Sequence, residues 1–113
     1  MDKIMGAALK YLEGRGFEIL DEAFDGYIAA IDTEKERTVL VKVVQTLEPG
    51  RFDDELGKVD RAGFEKLVIA LCTEYADRIS EGMVALDVLN FSVVNGNRAV
   101  LQHHRNAPIY EED

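Results

Sequence analysis

The segment TVLVKVV, residues 38–44, carries the pattern that decides the fold of this sequence. Its residues suit a half-buried β-strand, with the exception of one ammonium group at Lys42. Successive side chains of a strand point to opposite faces, so Leu40, Lys42 and Val44 share one face and three valines share the other. The question that this segment raises is which groups surround the Lys42 ammonium among these apolar side chains.

The sequence on either side of this strand predicts further helices and strands. Asp2 is suited to cap a first helix, and an apolar stripe at helical spacing predicts a main helix from near Asp60 that Gly82 ends. Asn95–Gly96 favours a two-residue hairpin turn. The predicted elements are a helix over 2–13, strands FEIL (17–20), YIAAI (27–31) and TVLVKVVQT (38–46), the main helix, and strands MVALDVLNFSVV (83–94) and RAVLQHH (98–104).

The resulting order, α-β-β-β-α-β-β, predicts an α/β fold in a single domain over residues 1–113. The connection from the third strand through the main helix to the fourth strand is long enough for a right-handed parallel crossover. This order and this crossover predict a mixed central sheet flanked by two helices. The stretch RFDDELGKV, residues 51–59, is assigned only a short helical turn, and residues 105–113 are expected to form a loop.

Composition restricts the classes of function. The chain has 22 acidic and 13 basic residues and a net charge of −9. Nucleic-acid binding without sequence preference relies on Lys and Arg at phosphates, and this sequence has no basic run.

Its apolar stretches are far shorter than the roughly 20 residues of a membrane span, and its start lacks the apolar block of a signal peptide. A cytoplasmic protein without a membrane segment is expected, and the single cysteine, Cys72, excludes an internal disulfide.

Several short motifs resemble those of the YraN family of small bacterial proteins, whose members look like restriction-endonuclease-fold nucleases of the PD-(D/E)xK type. That family has a first helix patterned G-E-x-x-A-x-x-Y-L, a glycine and a strand, and then G-E-I-D, V-E-V-K, R-F-D-V and H-x-x-N-A-F. GYIA (26–29) and VKVV (41–44) stand here at the separation of G-E-I-D and V-E-V-K. The residues that match elsewhere are Ala8, Tyr11, Leu12, Gly16, Phe17, Ile19, Leu20, Asp87, Val88, His103, Asn106 and Ala107. The resemblance covers nearly the whole chain except residues 47–60, and it implies a restriction-endonuclease-like architecture.

The departures from the family motifs concern the chemistry that the resemblance implies. Such a nuclease needs carboxylates that converge on a hard divalent cation, which activates the attacking water, and a lysine beside that water. The five corresponding positions are Met5, Tyr27, Ala29, Lys42 and Val44. We therefore expect no catalytic residue, no metal and no cofactor at this site, and Lys42 marks a metal site that has been lost. The alternative is that Lys42 lies near a sheet edge, with its stem packed and its amine in solvent.

Acids elsewhere in the chain are candidates for a displaced metal site. Asp25 and Asp32 flank the second strand, Glu48 follows the third, and Asp87 lies in the fourth. Asp32 is an odd number of residues from Ala29 and should face the other side of the sheet. Asp87 is expected to support the structure through hydrogen bonds. These acids do not form a convincing set of ligands.

The adjacent histidines His103 and His104 point to opposite faces if they lie in a strand, so they are not expected to form a metal pair. Contact with a phosphate or acid–base chemistry is one interpretation of them. We favour the other, a surface or end-of-strand position, with His103 holding the C-terminal loop through Asn106.

These observations lead to three hypotheses. The first is a non-catalytic YraN-like binding or accessory module linked to nucleic-acid processing, with Tyr27, Lys42, Asp87, His103 and Asn106 as candidate binding residues. Its partner is a protein or a nucleic acid, and the acidic charge favours a protein. The second is an active Mg²⁺- or Mn²⁺-dependent DNA endonuclease that uses displaced acids. The third is an interaction module, including a homodimer formed through a sheet edge or an apolar helix face.

Overall fold

The strand that contains TVLVKVV is the middle strand of a five-stranded sheet in the computed structural model, which describes residues 3–46, 60–79, 84–94 and 98–107. The elements are α1 (Lys3–Gly14), β1 (Phe17–Phe24), β2 (Tyr27–Asp32), β3 (Arg37–Thr46), α2 (Arg61–Glu74), β4 (Val84–Val94) and β5 (Arg98–His104). Over these residues the order is α-β-β-β-α-β-β, as the sequence predicts.

The sheet is mixed, because β3 and β4 run parallel whereas the other neighbouring pairs are antiparallel. Its strands lie in chain order, so that β1 and β5 form the two edges. α2 lies in the connection between the parallel strands, where a crossover element is needed. The prediction of an α/β fold with a mixed sheet and two helices is confirmed.

Apolar layers cover both faces of the sheet. On one face, Leu9 and Leu12 of α1 are buried in a cluster with Val39 and Val41. On the other face, α2 contributes to a cluster that includes Leu40. The alternation of β3 explains this division, since odd-numbered residues face α1 and even-numbered residues face α2.

The end of α1 is tied to the turn between β2 and β3. Gly16 has a φ of 89°, in the left-handed region that favours glycine. Its carbonyl accepts hydrogen bonds from the Thr33 backbone N–H at 3.2 Å and from the Thr33 hydroxyl at 2.6 Å. Asp2, which the sequence suggests as the cap of α1, lies outside the described residues.

α2 begins as predicted but ends earlier. Asp60 caps it, with its Oδ1 accepting a hydrogen bond from the Gly63 N–H at 2.6 Å. The prediction that the helix continues towards Gly82 is wrong, because the backbone leaves the helical conformation at Tyr75 (φ −116°, ψ 38°). The Tyr75 hydroxyl donates to the Leu20 carbonyl at 3.2 Å, which anchors this residue to β1 instead.

β1 is longer than the predicted strand FEIL. It continues to Phe24 through two register shifts, around Asp21, as an edge strand on which polar residues remain accessible to solvent. The predicted turn at Asn95–Gly96, the segment RFDDELGKV and most of the predicted C-terminal loop lie outside the described residues. Neither helix in the described ranges is long and apolar enough to cross a membrane.

Candidate functional site

Four of the five positions at which the family motifs carry catalytic residues lie on the α2 side of β2 and β3. Ala29 is fully buried and Val44 is 7% exposed, and both belong to the apolar cluster beneath α2. Tyr27 packs against the same cluster. Side chains alternate between the two faces along β3, so Lys42 lies on the same face as Leu40 and Val44. Met5 lies in α1 and packs against the cluster on the opposite face of the sheet, so the structure does not bring it to the other four positions.

Lys42 is half-buried on the middle strand, next to Val88 in the register of β3 and β4. The sheet-edge position in the alternative for Lys42 is therefore wrong, whereas its packed stem with the amine in solvent stays a prediction. Ala29 and Val44 offer no oxygen and Lys42 brings an ammonium group, so these residues do not fit a hard divalent cation. Among the residues that the structure describes, no group of three or more His, Cys, Asp or Glu side chains is arranged to hold a metal ion.

A cavity of about 340 Å³ opens beside these positions, at the start of α2. Its lining comprises Asp25, Tyr27, Asp60, Gly63, Phe64, Lys66 and Leu67. Burial raises the pKa of Tyr27, and the negative charges of Asp25 and Asp60 raise it further, so the phenol is neutral. The cavity therefore combines apolar walls and a neutral phenol with charged groups of both signs, which suits contact with a polar side chain or small molecule.

The opposite side of the sheet holds a polar network centred on Asp87, which is fully buried on β4. Arg37 binds both of its carboxylate oxygens, with Nη1 3.0 Å from Oδ1 and Nη2 2.8 Å from Oδ2. His103 Nε2 lies 2.8 Å from Oδ2, and the Asn106 backbone N–H donates to Oδ1 at 3.1 Å. Arg37 also donates to the Asn106 side-chain oxygen at 3.3 Å. This bidentate geometry holds the charged groups in fixed positions.

Electrostatics keep Asp87 ionised despite its burial. Burial alone raises the pKa of Asp87, but hydrogen bonds from His103, Arg37 and the Asn106 backbone, together with the charge of Arg37, lower it from 3.8 to about 2. The same hydrogen bond to Asp87 raises the pKa of Arg37. Because the carboxylate can only accept, His103 donates through Nε2, and in the neutral imidazole Nδ1 is left as an acceptor.

The network extends to α1 and β2. The Tyr11 hydroxyl lies 3.0 Å from His103 Nδ1, within hydrogen-bond distance. Asp32 is 1% exposed, and its Oδ2 lies 3.5 Å from Arg37 Nε and 3.3 Å from Arg105 Nη1. Two buried carboxylates are thus matched by two guanidinium groups, and the contacts join α1 to β2, β3, β4 and β5.

The structure brings together three of the predicted binding residues, Asp87, His103 and Asn106, and places Tyr27 and Lys42 on the other side of the sheet. His103 lies at the end of β5, which is one of the two positions predicted for it. The other, a surface position, is wrong, because its side chain is 6% exposed and lies inside the network. His103 and Asn106 are linked through Asp87, which both of them contact.

The acids considered for a displaced metal site do not form one set, since Asp32 and Asp87 meet at Arg37 and Asp25 lies elsewhere. Asp25 lies in the β1–β2 turn with a φ of 50°, and Glu48 lies outside the described residues. Asp32 and Asp87 both face α1, away from Ala29, and both are paired with arginines. The expected structural role of Asp87 agrees with these contacts.

Sequence reasoning missed Arg37 and Arg105. The alternation of β3 offers a signal for Arg37, since it shares the odd-numbered face of Val39 and Val41. Arg105 has no comparable signal, because it follows the last strand and reaches Asp32 across 73 positions of sequence. Tyr11 appears in the family pattern, but the pattern does not indicate its contact with His103.

Comparison of the chain with protein-family models, with curated proteins and with solved structures gave no match.

Proposed function

We propose that this chain is a non-catalytic protein with a restriction-endonuclease-like scaffold similar to that of the YraN family, and that it acts by binding. The observation that carries the proposal is the burial of Ala29 and Val44 in the apolar cluster beneath α2. These two positions correspond to an aspartate and a lysine of the family motifs. Core side chains fill the volume in which ligands of a metal ion would have to converge.

The charge at Lys42 supports the same proposal. A Mg²⁺ or Mn²⁺ ion at the family position would lie within a few ångströms of this ammonium group. Two unit charges about 4 Å apart interact by roughly 4 kcal/mol at an effective dielectric constant of 20, and here the interaction is repulsive. Lys42 therefore provides no ligand for a metal ion, and its charge repels one.

The contacts of the remaining buried acids argue against a displaced site. Asp32 and Asp87 already accept hydrogen bonds from Arg37 and Arg105, so a metal ion would have to displace guanidinium groups from buried carboxylates. The partner that we favour is a protein, because the net charge of −9 repels a polyanion at long range. The link to nucleic-acid processing rests on the resemblance to the family.

A nuclease assay tests this proposal. The purified chain is incubated with single-stranded and branched DNA in the presence of Mg²⁺ or Mn²⁺, beside the Lys42→Ala, Asp32→Asn and Asp87→Asn variants. We expect no metal-dependent cutting by any of the four proteins. Cutting that survives Lys42→Ala but disappears in Asp32→Asn or Asp87→Asn overturns the proposal in favour of an active enzyme.

A further inference from the structure

The cavity at the start of α2 is lined by two carboxylates from separate parts of the chain. Asp25 lies in the turn between β1 and β2, and Asp60 immediately precedes the first residue of α2. The cavity has a volume of about 340 Å³. Ligand pockets span roughly 300–1,000 Å³, so this one is of a size for a single side chain or a small molecule.

The backbone holds both carboxylates at the cavity. Asp25 has a φ of 50°, and Asp60 Oδ1 accepts a hydrogen bond from the Gly63 N–H at 2.6 Å. A Cβ atom at position 63 would lie 2.9 Å from Asp60 Oδ1, so a glycine there leaves room for this carboxylate. Asparagine tolerates a positive φ and caps helices as well as aspartate does. The local structure therefore needs a side-chain oxygen at these two positions but not a negative charge.

The wall of the cavity is aromatic and apolar. Phe64 is 4% exposed, and Tyr27 and Leu67 are half-buried. Burial raises the pKa of Tyr27, and the negative charges of Asp25 and Asp60 raise it further, so both carboxylates act on this wall. Carboxylates beside an aromatic ring favour a cation that can pair with the former and lie against the latter.

We propose that this cavity binds the guanidinium group of an arginine side chain from a partner protein. A guanidinium is planar, donates to carboxylates in a fork, stacks on aromatic rings and is more weakly hydrated than an ammonium group. The net charge of −9 attracts a basic partner at long range. This inference rests on the proposed function, because it assigns a site and the chemistry of a partner to a protein that acts by binding.

Two ammonium groups and the positive end of α2 oppose a cation at this place. Lys66 lines the cavity, but it is exposed and its long stem allows the ammonium to stay in solvent. Lys42 lies on the same face of the sheet as Tyr27, but it is not part of the lining and already interacts with another group. Asp60 meets the positive end of the helix. The two acids outnumber the one lysine of the lining, and the charge of the whole chain has the same sign.

The test uses the full chain labelled with ¹⁵N and blocked tripeptides at one ionic strength. The probe is acetyl-Ala-Arg-Ala-amide. Citrulline in place of the arginine keeps the shape of the side chain but removes its charge, and lysine keeps the charge but removes the planar fork. We expect the probe to shift the amide resonances of Tyr27 and Gly63 with a Kd of about 1 mM. The citrulline peptide should bind about tenfold more weakly, and the lysine peptide should lie between the two.

Variants of the lining separate the site from the general charge of the chain. Asp25→Asn and Asp60→Asn keep the turn and the cap, and we expect each to weaken binding of the probe about threefold. Lys66→Met removes a like charge and should tighten binding about threefold. Asp77→Asn removes one negative charge at an exposed position outside the cavity and should leave binding unchanged.

Several outcomes overturn this inference. They are equal binding of the citrulline or lysine peptide, an Asp77→Asn effect as large as those of Asp25→Asn and Asp60→Asn, weaker binding to Lys66→Met, and the absence of shifts at the cavity. Tighter binding of a glutamate peptide would assign the cavity to an anion, and tighter binding of unblocked L-arginine would assign it to a small molecule. None of these results involves DNA cutting, so the nuclease assay tests the proposed function separately.

Discussion

Asp87 is the residue on which the polar contacts of the α1 side converge. Its carboxylate accepts hydrogen bonds from β3, from β5 and from the turn after β5. Ion pairs buried in this way add little net stability over a well-packed apolar alternative, because desolvation offsets their attraction. Removal of one member is costly, however, because the other charges stay buried without compensation.

Asp87→Asn tests this cost directly. The substitution keeps the size of the side chain but removes the carboxylate that binds the Arg37 guanidinium in a bidentate manner, so that Arg37, which is 16% exposed, keeps only the more distant Asp32 as an anionic partner. We expect the free energy of unfolding, measured by urea denaturation, to fall by about 3 kcal/mol. Asp77→Asn, at an exposed position, is the control and should change it by less than about 0.5 kcal/mol. Equal effects of the two substitutions would show that the network contributes nothing to stability.

The pKa of Asp87 predicts a pH dependence. The pKa in the folded state is about 2 and the ordinary value is 3.8, so the folded state favours the ionised form. The stabilisation is therefore present above pH 4 and is lost as the pH falls towards 2. We expect the difference in unfolding free energy between the wild type and Asp87→Asn to shrink by about 2 kcal/mol across this window. A difference that stays constant with pH contradicts the lowered pKa.

Among the elements, β3 could be predicted closely and the end of α2 could not. Alternation of apolar residues along β3 is a local signal, and both of its faces are buried as that signal requires. α2 ends at Tyr75, whose hydroxyl contacts the Leu20 carbonyl 55 positions away in sequence, and a contact of this range leaves no local signal. A glycine further along, Gly82, is the strongest local stop signal, and it misplaces the end of the helix.

The buried face of α2 gives a prediction at the scale of the element. Leu71 is fully buried in the cluster beneath this helix, and Ile69, two residues earlier, is 66% exposed. We expect Leu71→Ala to lower the free energy of unfolding by about 3 kcal/mol, because it removes buried methyl groups and leaves a cavity. Ile69→Ala should lower it by less than about 1 kcal/mol in the same denaturation experiment. A larger loss for Ile69→Ala would mean that the helix presents its other face to the sheet.

For the whole molecule, the order of elements follows from local patterns, whereas the polar network does not. Asp32, Arg37, Asp87 and His103 come from four different strands, and the contact of Arg37 with Asp87 spans 50 positions of sequence. Their meeting depends on strand order and register, which a single sequence specifies only through the complete fold. The motifs around Asp87 and His103 point to important residues, but the arginines that neutralise the carboxylates lie outside those motifs.

Ala29→Asp tests the whole-molecule claim that core packing has replaced a metal site. The substitution introduces an aspartate, the residue of the YraN motif that the sequence resembles, at a fully buried position among apolar side chains. An ionised carboxylate there lacks a partner, so we expect the free energy of unfolding to fall by about 3 kcal/mol, with no recovery in excess Mg²⁺. Ala23→Asp, at an exposed position of β1, is the matched control and should change it by about 0.5 kcal/mol or less. A gain in stability of Ala29→Asp that rises with Mg²⁺ concentration and is absent from Ala23→Asp would mean that the α2 side of β2 and β3 still accommodates a divalent cation, and the proposal of a non-catalytic protein would fall with that result.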